Sequence, residues 1–427
     1  MKIDRLNKEN IASFQNRSAL GTPEQLVNVG RIVEEVRKTG NKALIDFTER
    51  FDRVILRVED LRVSAEELAE ATTKIDDEIV SALKLAAKRI TAYHEKQKIS
   101  SWSFEDNGAT LGQRITPLGR VGVYVPGGRA DYPSSVLMNV IPAIVAGVSE
   151  IAICCPPNKD GEISPYVLAA ASILGIDEVY RVGGAQAIAA LAYGTETIKR
   201  VDKITGPGNI FVTIAKKIVV GVVGIDMLAG PSEIAIIADN NANPAFIAAD
   251  MLAQAEHDPL ATSILITTDE QMAKSTITSI EKQLEKLSKK DIAAVSLEKN
   301  GKVLLADTME TIIAYVNEFA PEHLEIMTED ADKIVNEIEN AGAIFLGNFC
   351  PEALGDYIAG SNHVLPTGGT ARFSSPLGVA DFVKRSSILS FNEEAAGKLI
   401  DAGVAIASIE GLDAHARSLL IRKKDER

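Results

Sequence analysis

Residues 120–155 read RVGVYVPGGRADYPSSVLMNVIPAIVAGVSEIAICC. A β-branched run, RVGVYV, meets a Pro-Gly-Gly turn. An apolar stretch of helical length, SSVLMNVIPAIVAG, then ends at a glycine, and a second apolar run, EIAICC, follows. Strand, helix and strand at this spacing make a βαβ unit, whose two strands lie parallel in one sheet. The rhythm continues through PYVLAAASILG, DEVYRV (177–182), AQAIAALAYG and VDKITG (201–206). Loops of glycine and proline follow the strand ends, as VPGG (125–128), VGG (182–184) and TGPGN (205–209). Parallel sheets of this kind bind ligands at the carboxyl ends of their strands.

A second alternating block predicts strands at EIAIIAD (233–239), TSILITT (262–268), KVLLAD (302–307) and AIFLG (343–347), with helices at 244–256, 269–288, 308–318 and 330–340. Asn243 followed by Pro244 is a favourable helix start, a capping side chain before a proline that needs no hydrogen-bonding partner. Ahead of both blocks, Pro23–Lys38 and Asp76–Lys96 carry apolar residues at helical spacing, Gly40 is a stop signal, and strand signals are few. After Gly347 comes the irregular segment GSNHVLPTGGTARFSSP. An irregular stretch of that length in a compact protein points to function. The last 40 residues read as two helices and a short connection. The expected partition is a helical region at 1–105, α/β domains at 106–232 and 233–375, and a helical arm at 376–427.

Composition narrows the function. The 427 residues carry 45 basic and 59 acidic side chains, a net charge of −14 that disfavours nucleic acid and anionic membranes as partners. The opening MKIDRLNKENIASF is charged throughout, so no signal peptide is read, and no apolar run suits a bilayer. Three cysteines without metal-site spacing fit a cytoplasmic protein. Cys154 and Cys155 fall inside an apolar strand and read as packing; Cys350 lies in a loop.

Histidine is scarce, with five in the chain, and three of them, His257, His323 and His363, sit in dense polar strings. Imidazole titrates near neutral pH and ligates metals. Gln254 and His257 share one face of a helix end, where they could grip an ion or simply be polar surface. Glu322 and His323 suit general acid–base work, or else mark an acidic helix start. Asp356 is a hard ligand or a turn residue. His415 stands near Glu410. Histidine, aspartate and glutamine would suit zinc, but spacing alone does not assemble residues 254, 257, 356 and 415. Neither GxGxxG nor a P-loop lysine is present, so the glycine loops permit a dinucleotide without requiring one.

Taken in order, GRVGVYVPGG, GGAQAIAALAYGTE, KITGPGN, AGPSE, LAQAEHDP, APEHLE, LGDY, GSNHVLPTGGTARFSSPLGV and EGLDAHA resemble the histidinol dehydrogenases. The resemblance runs from about residue 20 to 422, and its most specific part spans Ile225 to His257. It implies two Rossmann-like parallel-sheet domains, incomplete in the aldehyde-dehydrogenase manner, with a helical N-terminal layer and a C-terminal helical arm. It implies NAD- and zinc-dependent oxidation of L-histidinol to L-histidine through L-histidinaldehyde, the last step of histidine biosynthesis. The zinc ligands would be Gln254, His257, Asp356 and His415, with Glu322 and His323 as the acid–base pair. Those ligands and His323, with Ser232, Glu410 and His363, would line the substrate site. Tyr124, Gln186 and Asn209 would contact NAD. The resemblance further implies a homodimer in which Glu410 and His415 come from the partner subunit.

Other readings remain open on the residues. An aldehyde-dehydrogenase-like enzyme would need Cys154, Cys155 or Cys350 as a thiolate. A zinc hydrolase would use the same ligands without NAD. A noncatalytic metal-binding or interaction protein would leave the Glu322–His323 pair without a task.

Overall fold

The computed structural model describes residues 1–6, 21–127 and 131–423. Gly128, which closes the first glycine loop, most of the N-terminal MKIDRLNKENIASF segment and the end of the C-terminal tail lie outside the described residues. The chain forms two compact units, Met1–Gln97 with Leu118–Phe382, and Lys98–Pro117 with Val383–Arg427.

The first unit opens with β1 (Ile3–Arg5) and the helices α1 (Pro23–Thr39), α2 (Asn41–Asp52), α3 (Ala65–Glu70) and α4 (Asp77–Glu95). α1 shows why such segments fold locally. Thr22 and Gln25 cap each other reciprocally, Pro23 fills the first turn, and Val29, Val33 and Val36 form one buried stripe. The hairpin β2 (Trp102–Asp106) and β3 (Ala109–Pro117) belongs to the second unit.

The expected βαβ block follows as β4 (Arg120–Tyr124), α5 (Pro133–Ala146), β5 (Glu150–Cys155), α6 (Pro165–Ile173), β6 (Glu178–Arg181), α7 (Gly184–Tyr193), β7 (Lys203–Thr205), α8 (Ile210–Val219) and β8 (Gly224–Ile225). All pairings are parallel, in the order β6-β5-β4-β7-β8. Every residue of β4 is buried, as a strand covered on both faces requires. At the starting edge of this sheet Arg120 donates to Glu150 at 2.7 Å and to Glu178 at 3.0 and 2.5 Å, tying β4, β5 and β6 together.

The second block is β9 (Glu233–Ala238), α9 (Pro244–Ala255), β10 (Thr262–Thr267), α10 (Glu270–Leu284), α11 (Lys290–Lys299), β11 (Lys302–Leu305), α12 (Met309–Phe319), β12 (His323–Met327), α13 (Ala331–Ile334), β13 (Ala343–Leu346) and α14 (Glu352–Tyr357). Its sheet is parallel, in the order β1-β11-β10-β9-β12-β13. Asn243 caps α9 by accepting from Ala245 N at 2.9 Å, with Pro244 at the first position, as its sequence predicts.

Several details differ from the sequence reading. The N-terminal segment supplies a strand, β1, to the far edge of the second sheet. The helix expected at 330–340 is one short turn, continued by a 3-10 turn at Val335–Glu337. Glu322 and His323 do not start a helix; His323 opens the buried strand β12.

In the second unit β3 is the middle strand of a three-stranded antiparallel sheet with β2 and β14 (Val383–Phe391). Asn107 and Gly108 join β2 to β3 with φ of 48° and 88°, the backbone of a tight two-residue hairpin. Helices α15 (Glu393–Ile409) and α16 (Asp413–Leu420) follow, the pair expected at the C-terminus. Among the described residues no helix is long and apolar enough to cross a membrane.

The Arg120 network generates a test. The guanidinium hydrogen bonds hold the Glu178 carboxyl down, from its ordinary 4.5 to about 2. A depressed carboxyl stabilises the fold fully above its unfolded value, and that share is lost as pH falls from 4.5 towards 2. Glu178→Gln should cost about 2 kcal/mol near neutral pH, a buried-pair value discounted for residual contact with water. Urea unfolding of wild type and variant should show the gap narrowing between pH 6 and pH 3; a gap constant across that range would refute the attribution.

Candidate active site

Strand β12 lies between β9 and β13, and its register sets His323 opposite Ile234. That places the candidate acid–base pair against the backbone of Glu233. His323 Nδ1 lies 3.0 Å from the Glu233 carbonyl oxygen. A carbonyl can only accept, so Nδ1 carries the proton and Nε2 faces the interior. The Glu233 N–H donates to Glu322 Oε2 at 2.8 Å. One residue of β9 thus clamps both side chains.

Nε2 of His323 points at two carboxylates, 3.6 Å from Asp356 Oδ1 and 4.0 Å from Glu352 Oε1, and it makes no hydrogen bond. Burial opposes charge on this imidazole, but Glu352, Glu322 and Asp356 outweigh it and hold its pKa well above the ordinary value. Burial pushes Glu322 the other way from a free carboxyl, up to about 8, with the His323 charge opposing the rise.

Three short pairings build the rest. Asp250 and Gln254 are four apart on α9, Glu352 and Asp356 four apart on α14, and His323 and Glu325 two apart on β12, so each pair shares a face. The Gln254 amide lies with one end 2.5 and 2.9 Å from the two Glu352 oxygens and the other 2.9 Å from Glu233 N. Below them Glu325 accepts from Glu352 N at 2.8 Å and faces Asp250. Burial raises both of these carboxyls, Asp250 to about 6 and Glu325 well above its usual range.

Ligand atoms of His257, Glu352 and Asp356 lie within 4.8 Å of one another. His257 sits just past the end of α9, its N–H donating to Gln254 O at 3.3 Å, with one side exposed. His363 Nδ1 lies 3.1 Å from the Asp356 carbonyl oxygen, which anchors the irregular segment to α14. The sequence-predicted residues Gln254, His257, Glu322, His323, Asp356 and His363 therefore share one neighbourhood. Ser232 directly precedes β9, and its carbonyl accepts from Thr262 N at 3.0 Å. The donor set of imidazole, carboxylate and amide oxygen suits zinc, and the surplus of buried carboxylates around an unpaired His323 Nε2 fits a cation.

Tyr124, Gln186 and Asn209 gather at the carboxyl ends of the first sheet. Tyr124 ends β4, and its hydroxyl accepts from Gly184 N at 3.1 Å. Gln186 is buried in the first turn of α7, and its Oε1 has no hydrogen-bond partner. Asn209 caps α8, accepting from Phe211 N and Val212 N. The loop before it is pinned by a buried pair, Lys216 and Asp226, which hold Gly206 O and Gly206 N at 2.9 and 2.8 Å. A side chain at Gly206 would strike the Tyr124 carbonyl.

Glu410 and His415 belong to the second unit, both exposed, Glu410 closing α15 and His415 within α16. Cys154 and Cys155 are buried in β5, and burial pushes the Cys155 thiol up to about 12 and Cys154 higher still. Neither suits a thiolate nucleophile. Sequence reasoning missed Glu352, Glu325 and Asp250; their signal was the four-residue spacing to Asp356 and Gln254.

A family model described as histidinol dehydrogenase matches residues 15–423. A histidinol dehydrogenase from Bacillus licheniformis is 52% identical over 427 residues, 100% of each chain. One from Geobacter sulfurreducens is 55% identical over 395 residues, 92% of each. The crystal structure of histidinol dehydrogenase from Elizabethkingia anophelis superposes with a TM-score of 0.94 at 38% identity, covering 99% of this chain and 97% of that one. With the whole length accounted for at this similarity, the chain belongs to the histidinol dehydrogenase family of oxidoreductases.

Proposed function

We propose that the chain oxidises L-histidinol to L-histidine in two NAD-dependent steps through L-histidinaldehyde, in a zinc site completed by a partner subunit. The observation that carries this reading is His323: its proton is fixed on Nδ1 by the Glu233 carbonyl, and its Nε2 makes no hydrogen bond and faces the carboxylates of Asp356 and Glu352. Zinc held by Gln254, His257, Asp356 and the partner's His415 would orient the substrate's imidazole and amine and offset the carboxylates that otherwise keep His323 protonated. NAD, at Tyr124, Gln186 and Asn209, would accept a hydride in each step.

The chain's own residues supply the proton transfers. His323 Nε2 takes the hydroxyl proton in the first oxidation. Glu322, poised near pH 8 and held by Glu233 N, takes a proton from the water that adds to the aldehyde. His323 serves again when the hydrate is oxidised. Ser232, His363 and the partner's Glu410 line the site. Burial of Glu322 and His323 keeps bulk water from competing for the aldehyde.

The primary test is NADH formed per L-histidinol consumed, with and without a chelator. Two NADH, abolished by chelation and restored by zinc, are expected. One would mean that the reaction stops at the aldehyde and that Glu322 has another task; none, in zinc-loaded folded protein, would refute the reading.

His323→Ala should retain zinc and NAD binding while turnover drops by about 10²- to 10⁴-fold, the usual share of one general base. Turnover within a few fold of wild type would remove His323 from that role.

Subunit sharing has its own test. The second unit leaves Leu389, Ile406 and Ile409 exposed, apolar surface of the sort that marks an interface. His257→Ala and His415→Ala chains, each inactive, should regain about a quarter of wild-type activity when unfolded together and reassembled, because half the dimers then carry one intact site. No recovery, with mixed dimers present, would place His415 in its own chain's site.

A further inference from the structure

We propose that the buried ion pair of Lys216 and Asp226 is a positioning device for the dinucleotide: it holds Gly206 at both its N–H and its carbonyl, and so sets the loop that leads to Asn209 before NAD arrives. This rests on the cofactor reading above and adds to it two residues outside the three NAD contacts.

An ion pair this deep is a poor way to stabilise a fold. The two side chains are 4% and 1% exposed. The hydration that both charges give up offsets much of their attraction, so a well-packed apolar pair would serve stability as well or better. An apolar pair cannot hydrogen-bond, and these side chains do. Lys216 Nζ donates to the Gly206 carbonyl at 2.9 Å and to Asp226 Oδ1. Asp226 Oδ2 accepts from Gly206 N at 2.8 Å, and Oδ1 accepts from Met227 N at 2.6 Å. One loop residue is thus gripped at its donor by a carboxylate and at its acceptor by an ammonium, both charge-assisted bonds.

Gly206 needs such a grip. Its φ of 112° and its close approach to the Tyr124 carbonyl exclude a side chain, so it has no packing of its own to hold it. It stands between Tyr124, at the end of β4, and Asn209, at the start of α8. The spacing of those two NAD contacts therefore runs through its backbone. Asp226 is placed by the sheet, its N–H donating to Ile204 O at 3.1 Å as a continuation of the β7–β8 ladder. Lys216 lies two turns along α8 from Asn209. The pair closes a frame of strand, loop and helix, and leaves the cofactor little ordering to do on binding.

The test uses the full chain and two readouts besides turnover: NAD affinity by calorimetry, and amide hydrogen exchange over residues 203–212 without NAD. Either single replacement strands a buried charge and threatens the fold. The informative variant is therefore Lys216→Met combined with Asp226→Leu, expected to melt at or above the wild-type temperature. In it the 203–212 amides should exchange faster. NAD should bind about tenfold more weakly, because ordering a loop residue now falls on the binding step. The KM for NAD should rise and that for L-histidinol should not. Lys216→Met with Asp226→Asn returns an acceptor to Gly206 N and should recover part of the affinity. Wild-type NAD affinity in the folded apolar double variant would overturn the proposal, and so would weaker affinity with unchanged exchange at 203–212. An apolar double variant that does not fold would assign the pair to stability and overturn it too. A folded wild-type chain that binds no NAD would overturn the cofactor reading itself, and this proposal with it.

Discussion

The register of β12 against β9 is the constraint on which the candidate site depends. Because His323 pairs with Ile234, the N–H and carbonyl of Glu233 fall beside Glu322 and His323. A slip of one residue would turn both side chains to the opposite face. The register is secured by apolar burial rather than by the site. Every residue of β9 and β12 is buried, and Ile234, Ile236, Leu324 and Ile326 fill the layers above and below the sheet. The polar chemistry is held by a frame that would assemble without it.

The frame concentrates negative charge. Glu322, Glu325, Glu352 and Asp356 stand near His257, His323 and His363, with Asp250 just beneath. Such a cluster is costly in an apolar interior unless protons or a cation offset it. Burial raises the Asp250 and Glu325 carboxyls, so a proton held between them would remove one of these charges. The carboxylates nearest the ligand set are left for a cation. The backbone N–H of Glu352 joins the two groups by donating to Glu325.

The alternating blocks were legible because strands buried on both faces are nearly pure apolar runs bounded by glycine and proline, as EIAICC and EIAIIAD are. β12 was not, since HLEIM carries histidine and glutamate on the face that meets the site, and acids beside a proline read as a helix start. β1, three residues of IDR, has no pattern at all before its partner β11 is known. The Asn107–Gly108 hairpin was legible and overlooked: an Asn-Gly pair is among the strongest short-range turn signals. Among site residues the histidines stood out by scarcity. Glu352 did not, because one glutamate among many acids gains its meaning only from Gln254, almost a hundred positions earlier.

The pairing of β1 with β11 sets an order of events for a chain emerging from a ribosome. Ile3 meets Val303, so β1 waits for all the chain between them before its partner exists. Until then its backbone groups have only water, and the β11 side of the second sheet has no edge to offer. The first sheet, whose strands all lie between residues 120 and 225, can close long before. Synthesis therefore delivers every strand of the first sheet before the second can be completed, and within the second the β1–β11 edge can form before β12, which carries His323, and β13 exist.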